Sequence, residues 1–144
     1  SLACLFHFSN AFSIKLELFS KVKNWLLELE YNIQLENEKH QSFIIEKESE
    51  GIKNMMLVIA PQILIIEQFL FRCKNNQQDI YKQLLIKNRD IVHGAFVLDE
   101  SGEKVIFRNT LQTENLDENE LIATINSLSL LISEYSTEMI LFSK

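Results

Sequence analysis

Few side chains in this sequence have the type and spacing that catalysis or metal binding requires. The three histidines, His7, His40 and His93, are scattered, and none has a cysteine or carboxylate at the spacing of a recognisable ligand set. His93 lies close to Asp90 before a predicted β-hairpin, where a solvent-facing histidine is the ordinary arrangement. We therefore predict neither a catalytic residue nor a metal site.

Two groups of carboxylates raise the question of cation binding or acid–base chemistry. The segment LDESGEK (98–104) places three acids around a glycine, but it lacks the ligand spacing of a calcium loop and is typical of a solvated turn. Glu46, Glu48 and Glu50 alternate and would share one face of a strand. Acid–base catalysis needs two carboxylates in different environments, so a solvent-facing row is the better interpretation.

Motifs and charge exclude several further classes of function. The chain has only three glycines and contains no phosphate-binding loop, dinucleotide fingerprint or nucleophile elbow, so we predict a protein that is not an enzyme and needs no cofactor. A net charge of −6 disfavours nucleic acid and anionic membranes as partners. The longest uncharged apolar runs, 1–14 and 54–66, are shorter than the ~20 residues of a membrane-spanning helix. Two cysteines far apart indicate reduced thiols, and hence a cytoplasmic location.

Hydrophobic periodicity assigns the elements that must position any site. We predict a single domain over 13–144, preceded by an arm of uncertain order over 1–12, which could also be an early extension of the first helix. A 3.6-residue period predicts a first helix over 13–30. Four extended runs follow, rich in β-branched and aromatic residues: NIQLENE, SFIIEKE, GIKNMMLVIA and QILIIEQFLF.

The second half of the chain begins with a short helix. Its predicted N-cap is Asn76, and it ends near Asn88. A hairpin formed by GAFVLD and KVIFRN follows, and the last helix starts at Asp117, with Glu120 completing a capping box. The order α-ββββ-α-ββ-α lacks βαβ alternation, so we predict an α+β fold with an antiparallel sheet of about six strands, helices at both ends and a short middle helix.

The segments LLIKN (84–88), GAFVLD (94–99), VIFRNTL (105–111) and NLDENEL (115–121) resemble the C-terminal half of the Tir-chaperone (CesT-like) family, which includes type III secretion chaperones and YbjN-like proteins. The resemblance implies a small cytoplasmic protein with a secretion-chaperone-like fold. In the secretion chaperones it implies a homodimer, often built by the middle helix, that binds an extended segment of a secreted protein. YbjN-like members share the fold and need not take part in secretion.

The sequence also contains more apolar strand surface than three helices can cover. In the fourth strand Ile63, Ile65, Phe69 and Phe71 share one parity, while the other parity is apolar as well. The second sheet face is open to three interpretations: a dimer interface, a groove for a peptide, or a surface covered by N-terminal residues that fold back. The residues considered for that last role are Leu5, Phe6 and Phe8.

Our leading hypothesis is a non-enzymatic, secretion-chaperone-like module that binds an extended polypeptide through apolar sheet and helix surfaces. The residues expected to contact the partner are Ile33, Leu35, Phe43 and Ile45, and those expected to mediate homodimerisation are Ile80, Tyr81 and Leu84. The alternative is a YbjN-like regulatory module that binds a small ligand in a pocket under the long last helix.

Overall fold

The computed structural model describes residues 2–73 and 78–144, with the backbone alone for residues 2–12 and 15. Within these residues, six antiparallel strands form one sheet in the order β1-β2-β3-β4-β6-β5, accompanied by three α-helices. The helices are α1 (Leu2–Glu28), α2 (Gln78–Lys87) and α3 (Glu118–Phe142). The strands are β1 (Asn32–Asn37), β2 (Ser42–Lys47), β3 (Ile52–Ala60), β4 (Ile63–Arg72), β5 (Ala95–Leu98) and β6 (Lys104–Gln112). The predicted α+β fold and its element order are confirmed.

Helix α1 starts eleven residues earlier than its periodicity indicated, at Leu2 rather than Ser13. Residues 1–12 have no periodic apolar pattern, but they also contain no glycine or proline that would end a helix. The apolar period behind the predicted helix corresponds to its buried side, where Val22 and Leu26 are fully enclosed. The division into an arm and a domain that starts at residue 13 stays a prediction. The side chains considered for folding back onto the sheet, those of Leu5, Phe6 and Phe8, lie outside the described side chains.

Helix α3 begins as the sequence predicts. The Asp117 side chain accepts a hydrogen bond from the Glu120 backbone N–H at 2.9 Å, and the Glu120 carboxylate accepts one from the Asp117 N–H at 3.2 Å. These reciprocal bonds satisfy two donors that a helix start leaves without partners. The helix then buries Leu121, Ile125 and Leu128 against the sheet. The predicted capping residue of α2, Asn76, lies outside the described residues.

The hairpin β5–β6 is also as predicted, with Phe96 opposite Phe107. In its turn, Gly102 adopts a positive φ of 73°, and Asp99 accepts hydrogen bonds from the Ser101 hydroxyl (2.7 Å) and the Lys104 N–H (3.1 Å). The Ser101 bond, followed by the backbone bond from Lys104, lowers the pKa of Asp99 below its ordinary value. The carboxylate therefore organises its own turn.

The apolar faces of β4 differ from the predicted parity at one position. The pairing with β6 shifts between Phe69 and Phe71, so that Leu70 is an extra residue in the strand. Such a bulge reverses the side-chain alternation beyond it. Phe71 consequently joins the buried face with Leu64 and Ile66, rather than the face of Phe69 on which its spacing had placed it.

Candidate functional site

Both terminal helices pack on the same face of the sheet. The ring of Phe19 on α1 stacks on Phe43 of β2, with ring centroids 4.4 Å apart. From α3, the Thr124 hydroxyl accepts a hydrogen bond from the Asn109 side chain of β6 at 2.9 Å. The core of the protein therefore lies on one side of the sheet, between it and the two helices.

The opposite side of the sheet, which we call the open face, consists of the alternate side chains that point away from α1 and α3. Its central apolar members are Leu35, Ile44, Met56, Val58, Ile65 and Phe69, and Ile106 and Val97 continue it on β6 and β5. All of these side chains retain solvent exposure, from half-buried Ile44 to Leu35 at 56% and Phe69 at 54%. A contiguous apolar surface of this kind marks an interaction site more often than chance exposure does.

The strand register arranges the open face in rows. Leu35, Ile44 and Met56 lie side by side on β1, β2 and β3. The same row continues to Glu67 on β4 and Arg108 on β6, whose side chains form an ion pair. Because the two charges compensate each other within the chain, the row offers an apolar half and a polar half of little net charge.

The four residues predicted to contact a partner do not lie on one surface. Phe43 and Ile45 are buried beneath α1, and Ile33, which is half-buried, pairs with Ile45 on that same side. Only Leu35 belongs to the open face. A bulge at Gln34 is the physical reason, because the extra residue turns Ile33 and Leu35 to opposite sides of the sheet. Partner contact by these four residues stays a prediction.

The three residues predicted for self-association face the chain's own hairpin. Ile80 and Leu84 are buried, and the Tyr81 hydroxyl donates a hydrogen bond to the Gly102 carbonyl at 2.7 Å. Loss of hydration raises the pKa of the Tyr81 phenol, so this donor keeps its proton at neutral pH. The exposed apolar side chains of α2 are instead Leu85 (68%) and its neighbour Ile86. Self-association through this helix stays a prediction.

The two outer strands of the sheet are each protected against pairing with another strand. On β5, the Asn88 side chain hydrogen-bonds the Phe96 backbone as a neighbouring strand would, donating to its carbonyl (3.2 Å) and accepting from its N–H (2.8 Å). On β1, the bulge at Gln34 and the ion pair between Glu36 and Lys23 (2.9 Å) interrupt the regular strand edge that another strand would need for pairing. Bulges, charges and short strands are common means of blocking strand addition. The open face, rather than an edge, is thus the accessible apolar surface of the sheet.

The described residues do not assemble a metal centre. Across residues 2–73 and 78–144, no three His, Cys, Asp or Glu side chains lie close enough to hold a metal ion. His40 and His93 are exposed, and the carboxylates of Glu46, Glu48 and Glu50 do not share a row, because Glu48–Glu50 forms a short 3₁₀ helix. Within the same ranges, no helix is long and apolar enough to cross a bilayer.

Sequence reasoning singled out Ile65 and Phe69 as apolar strand surface, but it missed five open-face residues: Ile44, Met56, Val58, Val97 and Ile106. A signal for Met56 and Val58 was present, since strands β3 and β4 are apolar at both parities. What the sequence lacked was the side on which the helices pack.

Fold and surface together define a class: small α+β proteins in which helices cover one face of an antiparallel sheet and leave an apolar second face. The CesT_Tir_1 family model matches residues 15–144, and the chain belongs to that family. The resemblance first noted in the hairpin and last helix is thereby confirmed over nearly the whole chain. No curated protein matches the sequence.

Solved structures share the fold at low sequence identity. YbjN, a proposed transcription regulator from E. coli, superposes with a TM-score of 0.66 and 12% identity, covering 83% of this chain and 92% of its own. The chaperone–effector complex HopA1-SchA superposes with a TM-score of 0.59 and 17% identity, covering 82% of this chain and 93% of the matched chain. The Yersinia pestis type III secretion chaperone SycH, in complex with a fragment of YscM2, superposes with a TM-score of 0.56 and 16% identity, covering 83% of this chain and 98% of the matched chain.

Proposed function

We propose that this protein is a non-enzymatic, secretion-chaperone-like module that binds an extended polypeptide segment across the open face. The observation that carries the proposal is the row Leu35–Ile44–Met56 and its neighbours, an apolar sheet surface with no fully buried side chain. Membership of the CesT_Tir_1 family supports it, as do the shared fold of SycH and HopA1-SchA and the polypeptide complexes in which both occur.

The size of the open face favours a segment over a folded partner. A stable interface between folded proteins engages roughly 20–30 residues on each side, whereas the apolar part of the open face has eight members, Leu35 among them, spread over the six strands. An extended segment matches such a surface because its alternate side chains can all point toward the sheet. We therefore expect apolar residues at every second position of the bound segment.

A charge placed on the open face tests this function. The partner would first be sought by probing an array of peptides from the proteins encoded beside this gene, and the affinity of a hit would then be measured by calorimetry. Met56→Lys should weaken binding by about tenfold or more, since a buried lysine is costly at an apolar interface. Leu27→Lys is the control, because Leu27 is similarly exposed (53%) but lies on α1.

Two outcomes would contradict the proposal. One is a hit whose affinity is the same for Met56→Lys and the wild type. The other is a hit that loses affinity equally in both variants, which would point to a general effect of the added charge. Circular dichroism and urea unfolding would confirm that both variants remain folded.

The proposal includes a cytoplasmic location and a homodimer formed through α2. Support for the dimer comes from Leu85 and Leu98, which are exposed beside a small apolar groove of about 210 Å³ between α2 and β5. Leu85→Asp should convert a dimer into a monomer without disturbing the buried Leu84. Light scattering after size exclusion measures this, and a monomeric wild type would refute the dimer.

A second candidate function is a regulatory module that binds a small ligand. It is favoured by a cavity of about 570 Å³ beside the C-terminal half of α3, whose lining includes the buried amide of Gln68 as well as Ser136 and Met139. Native mass spectrometry of the purified protein would support this candidate if the same small molecule is bound reproducibly and is lost in Ser136→Trp. An unliganded mass in every preparation would argue against it.

A further inference from the structure

A second groove lies on the other side of the molecule from the open face. One wall is the segment 90–93, which follows α2, and the other is the middle of α3. The groove has a volume of about 280 Å³ and is open to solvent. We call it the α3 groove.

The α3 groove exists because one stripe of α3 does not face the sheet. The stripe that packs on the sheet contains Leu121, Ile125 and Leu128, whereas the groove is lined by positions spaced three and four apart on an adjacent stripe. These positions are Ala123, Ser127, Leu130 and Glu134. The side chains at the first two positions are small, and those at the last two are longer.

Two large aliphatic side chains of the groove are unusually exposed. Val92 is 83% exposed, more than any other large hydrophobic residue whose side chain is described, and Leu130 is 60% exposed. They belong to opposite walls, so a single apolar side chain inserted between them would remove both from water. The groove therefore favours an apolar anchor.

The rim of the groove is anionic. Asp90 and Glu134 contribute carboxylates from opposite walls, and among the described residues neither takes part in an ion pair. No lysine or arginine lines the groove. Lys87, three residues before Asp90, is occupied by the Glu138 carboxylate at 2.9 Å and by the ring of Tyr135 at 4.2 Å. A cationic group entering beside the apolar anchor would thus meet two uncompensated carboxylates.

We propose that the α3 groove binds a short polypeptide segment in which an aliphatic side chain is flanked by lysine or arginine. The apolar walls take the aliphatic side chain, and Asp90 and Glu134 take the flanking charges. This site is separate from the proposed binding of a segment across the open face, because α3 and the open face lie on opposite sides of the sheet. Either site can fail without affecting the other.

The probe is a fluorescein-labelled peptide of sequence GSKLLKGS, and its binding is measured by fluorescence anisotropy. Two matched peptides separate the contributions: GSELLEGS reverses the charges, and GSKSSKGS removes the aliphatic side chains. We expect GSKLLKGS to bind, with affinity that falls as salt rises, and both matched peptides to bind at least about tenfold more weakly. Equal binding of GSKSSKGS would show general charge attraction and would overturn the proposal, as would no binding of GSKLLKGS.

Variants of exposed residues locate the binding site on the protein. Glu134→Lys and Leu130→Ser should each weaken GSKLLKGS binding by about tenfold, while the control Leu27→Ser, with similar exposure on α1, should leave it unchanged. The open-face variant Met56→Lys should also bind normally. Loss of binding in Met56→Lys, or normal binding in Glu134→Lys, would place the peptide elsewhere and overturn the assignment.

Discussion

Replacing Phe43 with alanine is expected to lower the free energy of unfolding by about 3–5 kcal/mol, the range found for removal of a buried aromatic ring. Phe43 is 1% exposed and stacks on Phe19 at 4.4 Å, so the substitution removes the ring's contacts and leaves a cavity between α1 and the sheet. Domains of this kind are stable by roughly 5–15 kcal/mol, so the variant should lose a large share of its stability.

Urea unfolding followed by circular dichroism measures this effect. With a denaturant slope of about 2 kcal/mol per molar, the midpoint should fall by roughly 2 M. Leu35→Ala is the matched control, because Leu35, like Phe43, was predicted to contact a partner and lies on the neighbouring strand, but it is 56% exposed. Its midpoint should change little, since exposed substitutions usually cost less than about 0.5 kcal/mol.

The reasoning would be refuted if Phe43→Ala and Leu35→Ala were equally stable. That result would mean that Phe43 is not covered by α1 in the isolated chain and is available to a partner, as the sequence alone had predicted. A lower slope in Phe43→Ala would instead show that the substitution changed the compactness of the native or the denatured state, or that unfolding is no longer two-state.

Three further outcomes follow from particular contacts. The Tyr31 phenol is buried beside Glu50, to which it donates a hydrogen bond of 3.1 Å, and burial followed by the carboxylate charge raises the pKa of the phenol. The stability that the protonated phenol contributes is complete below the unfolded pKa of about 10 and is lost as pH rises further. Tyr31→Phe should therefore flatten the alkaline decline in urea midpoint, and an unchanged decline would contradict this prediction. Asn88→Ala removes two hydrogen bonds to the Phe96 backbone and should lower the free energy of unfolding by about 1–3 kcal/mol. It should also expose the edge of β5 for strand pairing, so light scattering should show new association. Unchanged stability and an unchanged mass would contradict this prediction. The lowered pKa of Asp99 gives stability that is present above the unfolded pKa of about 3.9 and lost as pH falls through the folded value. Asp99→Asn should therefore be less stable than the wild type at neutral pH and lose less stability on acidification. Parallel acid curves for the two proteins would exclude a stabilising role of the Asp99 carboxylate.

The sequence could predict the elements because their signals are local. The capping box of Asp117 and Glu120 involves groups three residues apart, and the turn at Gly102 is set by backbone geometry within a few residues. The periodic pattern placed the start of α1 eleven residues too late and left its extension into residues 1–12 open for the same reason, since that part has no apolar period.

The faces of the sheet depend on pairing between strands. The bulges at Gln34 and Leu70 each add one residue to a strand and reverse its alternation, and neither leaves a recognisable mark in the sequence. They decide that Leu35 is exposed while Ile33 is not, and that Phe71 is buried while Phe69 is not.

The amino-acid sequence by itself determined the α+β class, the order of elements and an excess of apolar strand surface, because period and turn chemistry act within a few residues. Only the tertiary structure decided which apolar surface stays open. Side chains of both strand parities are equally apolar in β3 and β4, and burial follows from the side on which α1 and α3 dock. The same docking brings Asp90 and Glu134, 44 positions apart in the chain, to opposite rims of one groove.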